Sequence, residues 1–266
     1  MSRIRSSKVS CGDMPAFLAV PASDAKAPAV IVMHERYGLV RHTCELAERF
    51  AREGYVAIAP DFYFQHPDQE ALHRGDVGHD MSDPEAAARL EAAIAALERV
   101  PQADLARVAV MGICQTARHP LVLAAARPIG AALVWYGAAQ PREWAVSAKY
   151  PRALDEIIAA ADCPVLGMFG ETDHLISIED VRRLRDSLER HGRSFSIHVY
   201  RDAPHGWLND TMPGRYRRAQ AETAWAEQRA FLEEVFAPGY DRSQRFQRYR
   251  ADIAVDYDFS RNVRQE

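Results

Sequence analysis

A chain of 266 residues that is 48% hydrophobic and 26% charged is long enough to close a sizeable core and too apolar to be disordered. Its formal charge of -4 comes from interleaved acids and bases, so a small molecule is the expected partner and neither nucleic acid nor an anionic membrane is. No apolar run reaches the ~18 residues of a membrane span, the polar start Met1 to Ser10 has no apolar stretch behind it, and Cys11, Cys44, Cys114 and Cys163 form no CxxC pair. The expectation is a cytoplasmic protein with reduced thiols and no cofactor or metal.

Taken in chain order, short apolar or β-branched runs at Ala29 to Met33, Tyr55 to Ala59, Val108 to Met111, Ala131 to Tyr136, Val165 to Phe169 and Ser196 to Tyr200 predict buried strands. Helical spacing fills the intervals: Leu46, Ala47 and Phe50 before Gly54; Ala87, Leu90, Ile94 and Leu97 after Asp83-Pro84; Leu121 to Ala126; Val181, Leu184 and Leu188 between Ser177 and Gly192; and Ala219 to Phe236. Such alternation predicts an α/β domain, a mostly parallel central sheet with helices on both faces, because parallel neighbours need crossovers that cover both sides. The longer excursions 61–84 and 137–163 are suited to forming a lid or pocket wall. Pro238-Gly239 marks a boundary between a domain over 1–236 and an extension over 237–266. With Phe246, Tyr249, Ile253, Val255, Tyr257 and Phe259, that extension is too apolar for a free tail and is expected to pack on the domain or on the partner subunit of a homodimer.

Chemistry concentrates just past three of the predicted strands. Val108 to Met111 runs into Gly112-Ile113-Cys114-Gln115-Thr116 and then a helix, the strand–turn–helix context in which a nucleophile is lifted above a sheet. Asp173 follows Val165 to Phe169, and His205 follows Ser196 to Tyr200. Groups beyond the carboxyl ends of parallel strands converge, and the order nucleophile, acid, histidine is that of a hydrolase triad. Each residue alone has an ordinary reading: a buried thiol, a turn aspartate, a loop histidine.

With these motifs in place the sequence resembles the dienelactone hydrolase family of α/β-hydrolases over roughly residues 12–236, through His34-Glu35-Arg36-Tyr37-Gly38, Tyr55 to Asp61, the Cys114 elbow, Gly170-Glu171-Thr172-Asp173 and Pro204-His205-Gly206. The resemblance implies an α/β-hydrolase fold and an ester or lactone substrate, opened by Cys114 with His205 as base and Asp173 as orienting acid. It implies that Glu35 contacts the resting thiol and that the backbone amides of Arg36 and Gln115 form the oxyanion hole. Tyr37, Trp207 and Asn209 are the expected substrate contacts, with Phe62, Tyr63, Trp135 and Tyr136 as further aromatic candidates. The chain departs from the family where Thr116-Ala117 replaces a glycine pair, where Pro120 comes early in the following helix, and where Asn209 replaces a carboxylate-gripping arginine. The last departure predicts a preference for neutral substrates unless Arg36, Arg74 or Arg118 reaches the same spot.

A different class of function is a non-catalytic binding or redox-sensing protein in which Cys114 reacts without turnover. A metal site in His66, His73 and His79 with Asp76 and Asp80 is a weaker reading, because the spacing is irregular.

Overall fold

The structure, a computed structural model, describes residues 3–266. Nine strands form one sheet in the order β1-β2-β4-β3-β5-β6-β7-β8-β9: β1 Ile4–Cys11, β2 Met14–Pro21, β3 Ala27–Val32, β4 Val56–Pro60, β5 Ala103–Ile113, β6 Ala131–Trp135, β7 Val165–Gly170, β8 Phe195–Tyr200 and β9 Gln247–Ala251. From β4 to β9 every neighbouring pair is parallel, while β1 and β2 form an antiparallel hairpin whose second strand pairs with β4. The helices are α1 Arg41–Arg52, α2 Gln69–Arg74, α3 Asp83–Glu98, α4 His119–Ala126, α5 Leu154–Ala160, α6 Ile178–Arg190 and α7 Arg218–Val235.

The period of two along each strand divides the apolar residues between two cores. Ala29, Ile31, Val108 and Val110 face the layer of α3 to α6, whereas Val30, Val32, Ala109 and Met111 face α1 and α7. That two-sided burial is why the central strands read as continuous apolar runs. Helix starts are set by short polar side chains: Ser82 and Glu85 cap α3 reciprocally, and Ser177 with Asp180 does the same for α6.

Two excursions are fastened to the elbow region by one buried cation. Arg118 is 1% exposed; its guanidinium donates to Asp83 at 3.0 Å and to the backbone carbonyls of Glu143 and Arg152, and it lies over the Tyr150 ring. Asp83 ends the first excursion, and the other three belong to the second. A guanidinium supplies five donors in a fixed fork, which suits it to tying several acceptors together without water. Arg118 is consequently spent on structure and does not reach a substrate.

Candidate active site

At the centre of the sheet, β5 ends at Ile113 and the chain turns sharply through Cys114, whose φ is +57°. Left-handed backbone is costly for a residue with a Cβ and persists where the surroundings enforce it. Gly112 permits the turn, because a Cβ there would lie 2.5 Å from the Thr116 carbonyl oxygen and 2.7 Å from Ala117 Cα. Gly137, just past β6, supplies the remaining room: a Cβ at that position would collide with the Cys114 carbonyl and the Ala117 side chain. Thr116, in the place of a family glycine, is fully buried and accepts from the Ile113 amide at 3.0 Å while donating to the His34 carbonyl at 2.9 Å. The elbow is thus stitched to the end of β3 by a hydroxyl. Helix α4 starts only at His119, after a 3-10 turn over Cys114–Thr116, so Pro120 falls in a first turn where its missing N–H costs nothing.

His205 Nε2 lies 2.9 Å from Cys114 Sγ, and its Nδ1–H donates to Asp173 Oδ2 at 2.7 Å. Asp173 is held in turn by the backbone amides of Leu175 at 2.7 Å and Ile176 at 3.2 Å. His205 and Asp173 are buried, and Cys114 is partly exposed. Burial alone would make a charged ring unfavourable, but the Asp173 carboxylate and the Cys114 sulfur at its two nitrogens hold the imidazole well above its ordinary range.

The contacts expected around this group are rearranged. Glu35 is buried, yet its carboxylate accepts from Tyr136 Oη at 3.2 Å and from Asn209 Nδ2 at 2.6 Å, and no hydrogen bond joins it to the thiol. Two donors bring the acid into a fixed network beside the site instead of onto Sγ. Tyr136 retains its proton for that bond, because burial and then the Glu35 charge push its ionisation far up. Asn209 is 1% exposed and is committed to Glu35, so it is a buttress, and its expected contact with substrate is corrected. Trp207 is also corrected: it is fully buried in the α1/α7 core with Trp135, Tyr136 and Tyr200, at ring separations of 5.2, 6.1 and 5.0 Å. Tyr37 is buried against Gly75, with its hydroxyl directed to Met212 and Arg215, and it closes a loop without entering the cavity at Cys114. Phe62, Tyr63 and Trp135 are core residues as well.

That cavity, of about 440 Å³, is lined by Cys114 and Gln115 together with Arg36, Gly78, His79 and Asp80, and with Gln140, Arg142 and Leu175. Both excursions therefore supply walls. Among the described residues the Arg36 backbone amide enters no backbone hydrogen bond outside the helices and strands, and the Gln115 side chain donates to the His79 carbonyl. Gln140 and Arg142 fall in the excursion 137–163 expected as a wall, though neither was singled out in the sequence, and Leu175 lies on the Asp173 loop, its amide donating to the Asp173 carboxylate. Of His66, His73 and His79, His66 and His79 lie with ring centroids 6.3 Å apart, but no group of three or more metal-ligating side chains occurs among the described residues.

A second relay runs from Ser196 Oγ to His198 Nε2 at 2.8 Å and from His198 Nδ1 to Glu227 at 2.7 Å. Ser196 lies in the middle of β8 with strands paired on both sides, so the ladders occupy the backbone donors an oxyanion would need. Glu227 also accepts from Tyr200 and Arg250. This network fastens β8 and β9 to α7.

A mostly parallel sheet with helices on both faces and a strand–turn–helix elbow at its centre defines an α/β-hydrolase. The sequence pattern of the dienelactone hydrolase family matches residues 14–236, and the chain belongs to that family. It is similar to a "Putative carboxymethylenebutenolidase" of Salmonella typhimurium, 34% identical over 221 residues and covering 80% of both chains. It is likewise similar to one of Methylorubrum extorquens, 29% identical over 220 residues that cover 80% of this chain and 74% of the other. Among solved structures, the "Putative Dienelactone Hydrolase" of Klebsiella pneumoniae superposes with a TM-score of 0.78 at 28% identity, covering 87% of this chain and 99% of its own. The protein is accordingly a hydrolase of the ester or lactone type. No described helix is long and apolar enough to cross a membrane.

Proposed function

We propose that the protein hydrolyses an ester or lactone through an acyl-cysteine on Cys114. The observation that carries this reading is the line from Sγ through His205 to Asp173, with separations of 2.9 and 2.7 Å, opening on a cavity. The Cys114 thiolate attacks the carbonyl carbon, and the oxygen that gains the charge turns toward the Arg36 and Gln115 amides. The His205 imidazolium gives its proton to the departing alkoxide, and the C–O bond breaks. The neutral ring then takes a proton from water as that water attacks the acyl-cysteine, which releases the acid and restores the thiolate. Asp173 fixes the tautomer and steadies the charged ring without itself taking the proton. An activated acetyl ester is expected to give a burst of alcohol release and an intact protein heavier by one acetyl group, mapped to Cys114. Steady turnover separates this from a thiol that is only modified: a single stoichiometric event would leave the redox-sensing reading in its place.

The cavity wall bears on the substrate. Asn209 lacks the charge to hold a carboxylate, but Arg142 lines the cavity together with Arg36, whose guanidinium also donates to the Gly75 and Val77 carbonyls, against the single carboxylate of Asp80, which pairs with Lys149. We infer from these two arginines, against the neutral-substrate expectation drawn from position 209, that the wall favours a carboxylated substrate. Of two matched butenolides, the one with a carboxymethylene group is expected to have a kcat/KM several-fold higher at low salt, with the advantage shrinking as ionic strength rises, since Arg142 is exposed. Equal values for the pair at low salt would remove these arginines from recognition.

A further inference from the structure

The segment beyond the family match runs across the back of the catalytic loops. After β9 the chain passes the Glu171 carboxylate, which accepts the Ala254 amide, and Tyr257 Oη accepts the Ile178 amide at 3.1 Å. A 3-10 turn at Phe259–Arg261 then delivers Asn262, whose side-chain amide donates to the carbonyl oxygens of Glu171 at 3.1 Å and Asp173 at 3.0 Å. Farther on, Gln265 accepts from Arg215 and, at 2.6 Å, from Arg217, residues that follow the His205 loop.

Glu171 belongs to the same joint. Its carboxylate accepts the Asp202 amide at 2.9 Å, and its own amide donates to the Tyr200 carbonyl at 2.9 Å, which binds the acid loop to the loop that carries His205. Within the acid loop the Asp173 amide reaches Gly170 only at 3.5 Å, while the Thr172 amide donates to Ala203 at 3.0 Å and the Asp173 carboxylate accepts the Leu175 and Ile176 amides. An amide has two hydrogens on one nitrogen, so Asn262 can satisfy two carbonyls two residues apart and fix the curvature between them.

We propose that the C-terminal strap is a working part of the hydrolase, and that Asn262 is a positioning residue that sets the placement of Asp173, and through it the orientation of His205. This rests on the Cys114–His205–Asp173 reading. Residues 237–266 are on this view neither a separate unit nor a passive tail. Small displacements of an orienting group cost rate without costing binding, because they lower the fraction of productive geometries.

The test compares Asn262→Asp, which is isosteric but has no donors, with Asn262→Gln, which keeps them, and with a chain ending at Asp258, which retains β9. For Asn262→Asp and the shortened chain, kcat for an activated ester is expected to fall roughly tenfold with KM within twofold of the parent. The alkaline limb of the kcat profile is expected to move to lower pH, because a displaced Asp173 stabilises the His205 imidazolium less. Asn262→Gln should recover part of the rate. Cys114→Ala is run in the same assay. If it is inactive while Asn262→Asp keeps the parent's kcat and pH profile and changes only thermal stability, the positioning role is overturned and the triad reading stands. If Cys114→Ala turns over at the parent's rate, both fall.

Discussion

Cys114→Ala is expected to lower kcat/KM for an activated ester by on the order of 10⁴-fold or more, while the variant melts at or above the temperature of the parent. On the proposed mechanism the loss follows from removing the attacking atom, and what remains is the contribution of binding and of the two amides proposed to hold the oxyanion. Stability is spared because Cys114 is only partly buried, so trimming its sulfur opens little cavity. The turn gives a sharper form of the same prediction. At φ +57° a side chain is strained, and Cys114→Gly should relieve roughly 1 kcal/mol of that strain, raising the melting temperature above that of the alanine variant. An inactive but more stable glycine variant would mark the elbow as strain retained for function. Undiminished turnover in the alanine variant would refute the cysteine mechanism, and a glycine variant less stable than the alanine one would refute the strain.

The second large effect is on stability at mildly acid pH. His34 is fully buried and packs edge-on against Phe62 and Tyr63, and burial drives its ionisation down to about 4. His119, 2% exposed, is driven down to about 3 by burial and then by the neighbouring Arg118 charge. In the unfolded chain both rings titrate near ~6.5. Below that pH the unfolded state binds protons that the folded state refuses, so stability is full above about 6.5 and falls as the pH drops toward the folded values. Together the two rings should remove roughly 2 to 2.5 kcal/mol between about pH 6 and 5. Asp83 and Glu143, whose carboxyls are raised by burial, oppose the trend at its acid end. Urea midpoints across this interval measure the slope, and His119→Leu is expected to halve it. Neither ring nitrogen of His119 has a hydrogen-bond partner, so the substitution should cost little or even stabilise the chain at neutral pH. A slope unchanged by His119→Leu would mean that this ring does not stay neutral in the folded protein.

What could be read from the sequence was what repeats or follows a strand. The six predicted strands, from Ala29 to Tyr200, were legible because both of their faces are apolar. Cys114, Asp173 and His205 were legible because each follows such a run. The hairpin of β1 and β2 was not: β1 alternates serine, lysine and arginine, and its side chains are mostly exposed, as befits an edge. Strand β9, Gln-Arg-Tyr-Arg-Ala, was hidden for the same reason. The pocket contacts were misjudged where an aromatic or amide side chain near a motif was expected to face the substrate. Trp207 and Asn209 lie close to His205 in sequence but are drawn inward, one by core packing and the other by the Glu35 carboxylate. Asn262 carried no local signal, because its role depends on a crossing of the chain some 90 residues away in sequence.

Strand β9 has a further consequence, for the state of the protein in concentrated solution. Without Gln247–Ala251, β8 would present an open row of unpaired amides and carbonyls beside the apolar residues Phe195, Ile197 and Val199, a template on which another chain could add. With β9 in place the edge carries Arg248 and Arg250, whose guanidiniums are turned back onto Glu234 and Glu227 of α7. The outermost strand is thereby short, charged and clasped to a helix, features that disfavour edge-to-edge growth. Any shortened form that stops at the family boundary near residue 236 would keep the elbow and the triad loops but expose that edge, and so would be prone to aggregate.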